Sequence, residues 1–289
     1  MPARVWFSVV IVVAMMLTGC GSESTTPVQA PWQGPGAETG RPCGDERGAN
    51  GELLLDADVA AGIAFDLKHP DGFAEHGCVV VDEADGHPVR AGSRALRFEV
   101  RDGDCNANSG FDDCANDRSR HELTEVGSSV GDGEEVWYAW SLFFTEYPVV
   151  AGDAIVFLGQ FNTDAAARFY IEDMATGLGY RFNDRDYAIL EREVVLARDQ
   201  VSRRWIDVLV HATWSVGDQG RLVLYVDGTQ AAVLDGSNMD GASTVSFDLG
   251  IYNAFVSQCG CDAMPTQVVY VDEIRRGPSR AAVEPPPVA

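Results

Sequence analysis

Residues 246–254 read Ser-Phe-Asp-Leu-Gly-Ile-Tyr-Asn-Ala, so apolar and polar side chains alternate along this stretch. Such alternation is typical of a β-strand with one buried face. The other face would carry Asp248, Gly250 and Tyr252, and the glycine leaves room for another group to approach the backbone beside the tyrosine. A core strand whose Tyr252 only faces solvent fits the same pattern. The predicted buried face consists of Phe247, Leu249 and Ile251.

Short β-rich runs separated by Gly, Asp and Asn recur along the chain, whereas helical periodicity is almost absent. An Asp-Gly turn at 227–228 follows one of the clearest runs and predicts a hairpin. So many runs in one chain predict an all-β fold, a two-sheet β-sandwich of jelly-roll type. The predicted strands are 59–67, 78–82, 95–101, 121–126, 136–146, 154–161, 168–172, 179–182, 188–190, 205–214, 221–226, 230–234, 244–253 and 267–275.

The beginning of the chain is typical of an export signal. Arg4 is basic, and the apolar run 5–17 is too short to span a bilayer comfortably. The run ends at Leu-Thr-Gly-Cys, residues 17–20, which resembles the lipobox of bacterial lipoproteins. This resemblance implies a signal peptide at 1–19 and a lipidated Cys20 that anchors an exported protein to the bacterial cell envelope, at the outer membrane. An ordinary secretory signal with an incidental cysteine is the alternative.

Both ends of the mature chain are poor in bulky apolar residues. Residues 20–42 are rich in Ser, Thr, Pro and Gly, which predicts a flexible tether after the lipidated cysteine. Residues 280–289 include three consecutive prolines and predict a disordered tail. The remaining segment, 43–279, is long enough for one domain with a large core, and we expect a monomer.

The charge of the chain limits which ligands it can bind. The formal net charge is −23 and Lys68 is the only lysine, which argues against a nucleic-acid partner. An acidic ligand would have to be held by a few arginines inside a cleft.

Apart from Cys20, the even number of cysteines predicts up to three disulfides in an exported protein. Cys105 and Cys114 form a plausible local pair. Cys259 and Cys261 are so close in sequence that we expect each to pair elsewhere. A zinc site is the alternative, although no histidine lies nearby at ligand spacing. The disulfide candidates are Cys43, Cys78, Cys105, Cys114, Cys259 and Cys261.

Two further stretches carry polar side chains on one face of a predicted strand. Residues 118–123 read Arg-Ser-Arg-His-Glu-Leu, which places Arg118, Arg120 and Glu122 on the same side. Such an arginine pair suits a carboxylate ligand, and a solvated charged face is the alternative. In the same way Gln160 and Asn162 share a face, where amides serve sugar hydroxyls or carboxylates, or face only water.

Taken together, three boxes produce a family resemblance. Arg-x-Glu-Leu at 120–123, Gly-Gln-x-x at 159–162 and Phe-x-x-Gly-Ile-Tyr-Asn at 247–253 occur in the order seen in jelly-roll polysaccharide lyases. The chain resembles the group containing glucuronan lyases, heparin lyase I and the smaller alginate lyases. The resemblance implies a concanavalin A-like jelly roll over 43–279 that binds an acidic polysaccharide and cleaves a uronic-acid polymer by β-elimination.

β-Elimination needs a group that neutralises the C5 carboxylate, a base for the C5 proton and an acid for the departing O4. The resemblance implies that Arg120 and Gln160 neutralise the carboxylate and that Tyr252 serves as base and acid in turn. A nearby cation would have to favour the tyrosine phenolate. His121, inside the arginine box, is a further catalytic candidate. The implied substrate-binding residues are Arg118, Glu122, Asn162 and Asn253.

The chain departs from the family pattern at two positions. Lyases of the alginate and heparin type carry a lysine four residues before the tyrosine, where this chain has Asp248, and a histidine two residues after the glutamine, where it has Asn162. A carboxylate at 248 disfavours a phenolate at 252. His121 or His211 is a possible substitute, although His211 also fits a sheet histidine. Two hypotheses follow: a lyase with rearranged acid-base groups, or a carbohydrate-binding lipoprotein of the same fold.

Other sites and functions are less well supported. The oxygen-bearing side chains of Asp102, Asp104 and Asn106 suit calcium, but the loop lacks the glycine and final glutamate of an EF-hand, and a disulfide-closed solvated loop is the alternative. A sandwich glycoside hydrolase of the laminarinase type would need Glu-x-Asp-x-x-Glu, and the nearest approach, 83–88, ends in proline. A structural envelope lipoprotein would show a sheet face without a groove.

Overall fold

The computed structural model describes residues 34–36, 39–127, 130–147 and 152–287. The predicted signal peptide, Cys20 and most of the predicted tether lie outside these residues. Within the described ranges, no helix has the length and apolar character needed to cross a membrane.

Within the described ranges, sixteen strands joined by loops and short helical turns confirm the all-β prediction. The helical turns are Glu83–Asp85, Cys114–Asn116, Arg198–Gln200 and Val256–Cys259, and a short helix α1 is Arg280–Val283. The strands are β1 (Arg41–Pro42), β2 (Ala60–Ala61), β3 (Ala64–Leu67), β4 (Cys78–Asp82), β5 (Arg94–Val100), β6 (Arg118–Val126), β7 (Glu135–Phe144), β8 (Ile155–Thr163), β9 (Ala167–Asp173), β10 (Gly177–Asn183), β11 (Ile189–Ala197), β12 (Trp205–Thr213), β13 (Arg221–Val226), β14 (Thr229–Asp235), β15 (Val245–Ala254) and β16 (Gln267–Gly277).

The strands form two sheets that make a sandwich, as predicted. One sheet has the order β1-β4-β5-β16-β7-β12-β13-β14, with β2 beside β16, and the other has the order β11-β10-β9-β8-β15-β6-β3. In the second, seven-stranded sheet, β15 lies between β8 and β6. The three strands that carry the sequence boxes are therefore immediate neighbours.

The alternation in β15 has the predicted consequence. Phe247, Leu249 and Ile251 are fully buried in the main core between the sheets. The Phe247 ring lies 4.8 Å from the ring of Trp140, which β7 contributes from the opposite sheet. Burying a side chain of this size stabilises the fold by roughly 1.5–3 kcal/mol, so this contact fixes which face of β15 points outward.

Gly250 lies at a close approach between strands. Its φ of 146° is rarely adopted by other residues, and a side chain there would collide with the carbonyl oxygen of His121 on β6. The pairing of β15 with β8 shifts register between Asp248 and Tyr252, as in a β-bulge. The group that approaches the glycine is thus the neighbouring backbone, and the bulge sets the position of Tyr252.

Several boundaries differ from the predictions. The predicted strand 59–67 is divided into β2 and β3 at Gly62, where φ is 71°. The predicted disorder of 280–289 is wrong for the described part, because Val283 of α1 is fully buried beside Ala139 and Leu209. The tether prediction is also wrong at its end, because β1 pairs with β4.

Three disulfides join Cys43 to Cys78, Cys105 to Cys114 and Cys259 to Cys261. The predicted local pair is confirmed. The expectation that Cys259 and Cys261 pair elsewhere is wrong, because Gly260 between them has a φ of 66° and turns the chain so that their Cα atoms lie 5.3 Å apart.

Candidate active site

Three neighbouring strands bring the predicted polar residues together on the outer face of the seven-stranded sheet. Tyr252 of β15 pairs directly with Arg120 of β6, and Asp248 of β15 pairs with Gln160 of β8. A cavity with a volume of 250 Å³ is lined by all four residues. The sequence boxes therefore converge on one site, which the order of the strands alone explains.

Tyr252 lies between two guanidinium groups. Arg118 Nε donates a hydrogen bond of 3.0 Å to the tyrosine hydroxyl, and the guanidinium carbon of Arg120 lies 3.9 Å from the ring centroid. Burial raises the pKa of Tyr252, and the positive charges of Arg120 and Arg118 oppose this rise without cancelling it. The cations that the resemblance requires are present, yet the hydroxyl keeps its proton at neutral pH.

Arg120 is almost fully buried and its charge is already matched. Its Nε and Nη2 donate to the Asp113 carboxylate at 2.8 and 2.6 Å, and its Nη1 donates to Glu122 at 3.3 Å. Burial tends to raise the pKa of Asp113, but the contacts with His69 and Arg120 hold it below the usual value. Arg120 is thus fixed beneath the Tyr252 ring by two carboxylates.

Glu122, predicted to bind substrate, instead lies under the site. It is fully buried, and its carboxylate accepts hydrogen bonds of 2.9 and 3.1 Å from Gln160 Nε2. Burial raises the pKa of Glu122 to about 7, although Arg120 opposes the rise. Because the carboxylate is already hydrogen-bonded to Arg120 and Gln160, it orients these two side chains and does not face a ligand.

The carboxylate of Asp248 is neutralised within the site. Lys68 Nζ lies 2.9 Å from Asp248 Oδ2, and Thr124 Oγ1 donates to Oδ1 at 2.6 Å. Asn162, the predicted substrate-binding amide, also donates to this carboxylate while lining the cavity. The positive charge beside Asp248 therefore comes from Lys68, which directly follows β3.

Lys68 and its neighbour His69 were both missed by sequence reasoning. His69 lines the same cavity as Tyr252, and its Nδ1 lies 3.5 Å from Asp113 Oδ2. Its φ of 53° is uncommon for a residue other than glycine and is typical of functional sites. Two signals were available in the sequence: Lys68 is the only lysine, and both residues directly follow a predicted strand.

Comparison with known proteins identifies a family for this chain. A family model described as polysaccharide lyase matches residues 78–275. The chain belongs to this polysaccharide lyase family. No curated protein matches the sequence.

Two solved structures share the fold of this lyase-family domain. An endo-β-1,4-glucuronan lyase from the fungus Trichoderma reesei is similar with a TM-score of 0.55 and 16% identity, over 75% of this chain and 92% of that one. The alginate lyase AlgAT5, of polysaccharide lyase family 7, is similar with a TM-score of 0.52 and 17% identity, over 78% of this chain and 97% of that one. At this identity the similarity concerns the fold.

Two predicted site residues of the lyase-family domain point away from the cavity. His121 is fully buried, its Nδ1 lies 2.7 Å from the Glu99 carbonyl oxygen, and its ring packs on Phe73. Asn253 is also fully buried and exchanges two hydrogen bonds with Gln267. Both predictions are corrected for the same reason: these residues alternate with Arg120 and Tyr252 along their strands and therefore face inward.

His211 lies far from the site in the chain's other sheet. On β12 it stacks on Trp137 and its Nε2 lies 2.7 Å from a Glu135 oxygen. It is a sheet histidine with a carboxylate partner.

The calcium candidates contact different partners within the protein. Asp102 accepts from the backbone of Met264, whereas Asp104 contacts His76 at 2.8 Å. Asn106 is buried. Among the described residues, one group has side chains close enough together to hold a metal ion: His76, Asp104 and His121. Two imidazoles do not suit calcium, and both ring nitrogens of His121 already contact protein groups. Calcium binding stays a prediction.

Proposed function

We propose that this protein is a lyase that cleaves a uronic-acid-containing polysaccharide by β-elimination, with Tyr252 and His69 transferring the protons. The observation that carries the proposal is the placement of Tyr252: its hydroxyl accepts a hydrogen bond from Arg118, its ring lies over the Arg120 guanidinium, and it shares a cavity with Gln160 and His69. Family membership and the two similar structures, named as a glucuronan lyase and an alginate lyase, support the same reaction class.

The raised pKa of Tyr252 assigns it the role of acid. A hydroxyl that keeps its proton at neutral pH is ready to donate this proton to O4 as the C4–O4 bond breaks. The hydrogen bond from Arg118 and the charge of Arg120 then stabilise the phenolate that remains.

His69 provides the base. Its Nδ1 faces the Asp113 carboxylate, which leaves Nε2 as the nitrogen that takes the C5 proton. The electron pair of the C5–H bond forms the C4–C5 double bond, and the pair of the C4–O4 bond leaves with O4. Transfer of the proton from His69 to the Tyr252 phenolate, directly or through water, restores the starting state.

The C5 carboxylate must be neutralised before the C5 proton can leave. Arg118 is suited to this task because, among the described residues, it makes no ion pair, whereas Arg120 contacts two carboxylates. Gln160 lines the cavity that contains Tyr252 and His69 and is held in place by Glu122. In this proposal Arg118 and Gln160 bind the carboxylate, while Arg120 positions Tyr252.

The test is an ultraviolet assay for the unsaturated uronate that β-elimination leaves. The purified protein is incubated with polyglucuronate, alginate and glycosaminoglycans. We expect the absorbance to rise with at least one polymer and to stay flat when His69→Gln replaces the wild type. A flat trace with every polymer would contradict the proposal.

A second candidate function is polysaccharide binding without cleavage. The observations that favour it are the matched charge of Arg120 and the protonated state of Tyr252, which together leave no ready phenolate base. Retardation of the protein in a polysaccharide affinity gel, combined with the absence of unsaturated product, would favour this function.

The sequence around Cys20 further supports a lipid anchor at the cell envelope. We expect the wild-type protein, expressed in a bacterial host, to sediment with membranes and the Cys20→Ala variant to remain soluble. Equal distribution of both proteins would contradict the anchor.

A further inference from the structure

Tyr252 separates two cavities. The first, with a volume of 250 Å³, contains the proposed proton-transfer residues, and the second, with a volume of 440 Å³, lies on the Arg118 side of the tyrosine. Both cavities share Phe111, Tyr170 and Tyr187 as walls. A polymer whose scissile bond lies at Tyr252 would therefore place sugar residues in both cavities.

The two cavities differ in charge. In the first, Lys68 is paired with Asp248, and Arg120 is paired with Asp113 and Glu122. The second is lined by Arg118 and Arg181, and no Asp or Glu is among its described lining residues.

The arginines of the second cavity exceed their carboxylate partners. Arg118 makes no ion pair with any described residue. Arg181 and Arg192 share one buried carboxylate, that of Glu172, with contacts of 2.9 and 2.6 Å. The two lining guanidinium groups thus have one carboxylate between them, which Arg192 also contacts, in a protein whose net charge is −23, and this local excess of positive charge attracts an anion.

The walls of the second cavity suit a sugar. Phe255 packs on the Arg118 guanidinium at 4.2 Å and is 39% exposed, and Tyr187 is 59% exposed. Asn183 also lines the cavity, and its Oδ1 accepts no hydrogen bond from the described residues. Exposed aromatic rings beside arginines and an amide combine apolar surface with carboxylate and hydroxyl recognition.

We propose that the second cavity binds a further carboxylated sugar through Arg181, so that the preferred substrate carries carboxylates on consecutive residues rather than on alternate ones. This inference rests on the proposed function for the identity of the scissile site. It predicts that the protein discriminates polyglucuronate from hyaluronan, in which an uncharged N-acetylhexosamine separates the uronates.

The chain offers a matched pair of variants for the test. Arg181→Gln and Arg192→Gln each remove one of the two guanidiniums from Glu172, but only Arg181 lines the cavity. Any general effect of exposing Glu172 will therefore occur in both variants. Thermal denaturation establishes that both are folded.

The measurement is the dissociation constant of a glucuronate trisaccharide and of a hyaluronan tetrasaccharide, by calorimetry with the full chain. We expect the wild type to bind the trisaccharide at least about tenfold more tightly, which corresponds to about 1.4 kcal/mol. Arg181→Gln should abolish this preference and Arg192→Gln should retain it. Equal affinities in the wild type, or an unchanged preference in Arg181→Gln, would overturn the inference.

The ultraviolet assay, run in parallel, separates this inference from the proposed function. Unsaturated product together with equal affinities would leave the lyase standing and remove the acidic subsite. An Arg181-dependent preference without product would retain the subsite and remove the lyase.

Discussion

The two sides of Tyr252 are both rich in arginine, but they use it differently. On one side Arg120 is 5% exposed and held by Asp113 and Glu122. On the other side Arg118 is partly exposed and, among the described residues, hydrogen-bonded only to the tyrosine hydroxyl and a backbone carbonyl. A buried cation with two carboxylates is part of the framework, whereas a cation without a carboxylate is available to a ligand.

The largest loss of stability should come from removing one of the two carboxylates that hold Arg120. Asp113→Asn leaves the buried Arg120 with Glu122 alone, and breaking such a pair costs about 3 kcal/mol of the free energy of unfolding. Arg118→Gln should cost no more than about 1 kcal/mol, the value of an ordinary hydrogen bond, while abolishing cleavage. Urea denaturation of both variants measures the difference, and equal costs would erase the distinction between the two arginines.

A smaller effect is expected at the Lys68–Asp248 pair, because Lys68 is partly exposed. Lys68→Gln leaves the buried Asp248 carboxylate with only neutral partners and should lower the free energy of unfolding by about 1–2 kcal/mol. Asp248→Asn in the same chain should restore most of this loss. A double variant that is less stable than Lys68→Gln alone would show that the pair is not a unit.

The pH dependence of stability should show a further effect from Glu122. Its pKa in the folded protein is about 7, above the unfolded value, so between these values the folded state binds the extra proton. Its contribution to stability is therefore present at low pH and is lost as the pH rises toward 7, by at most about 1.4 kcal/mol per pH unit. Glu122→Gln removes the titration.

Denaturation at pH 5 and pH 7 tests this prediction, and the comparison with Glu122→Gln cancels other groups such as Asp272, whose pKa is also raised to about 7. The stability of the wild type relative to the variant should fall between these pH values. A constant difference would mean that Glu122 is ionised throughout.

Local patterns predicted most of the fold. Alternation in β15 identified the buried face correctly, because burying Phe247 and its neighbours is what fixes the strand. The same rule excludes His121 and Asn253 from the site, since each is adjacent to a residue that faces outward. Both residues had been assigned to the site because they lie inside the sequence boxes, although strand alternation places them on the opposite face from Arg120 and Tyr252.

The two site residues that the sequence did not reveal, Lys68 and His69, depend on contacts between distant segments. Lys68 reaches Asp248 because its backbone N–H bonds to the Glu122 carbonyl oxygen at 2.8 Å, which continues the pairing of β3 with β6. His69 reaches Asp113 across the loop that the Cys105–Cys114 disulfide closes. No local pattern specifies which loop contacts which strand. The sequence therefore showed that Asp248 departs from the family pattern, but it did not show that Lys68 pairs with this carboxylate.

The central claim is that the Tyr252 hydroxyl donates the proton that releases O4. The most direct measurement is the turnover rate of Tyr252→Phe on the polymer that the wild type cleaves, with Tyr187→Phe as the control from the same cavities. We expect Tyr252→Phe to lower the rate by at least about 100-fold, as for loss of a general acid, and Tyr187→Phe to leave it within about threefold. A Tyr252→Phe variant that turns over at the wild-type rate would contradict the account.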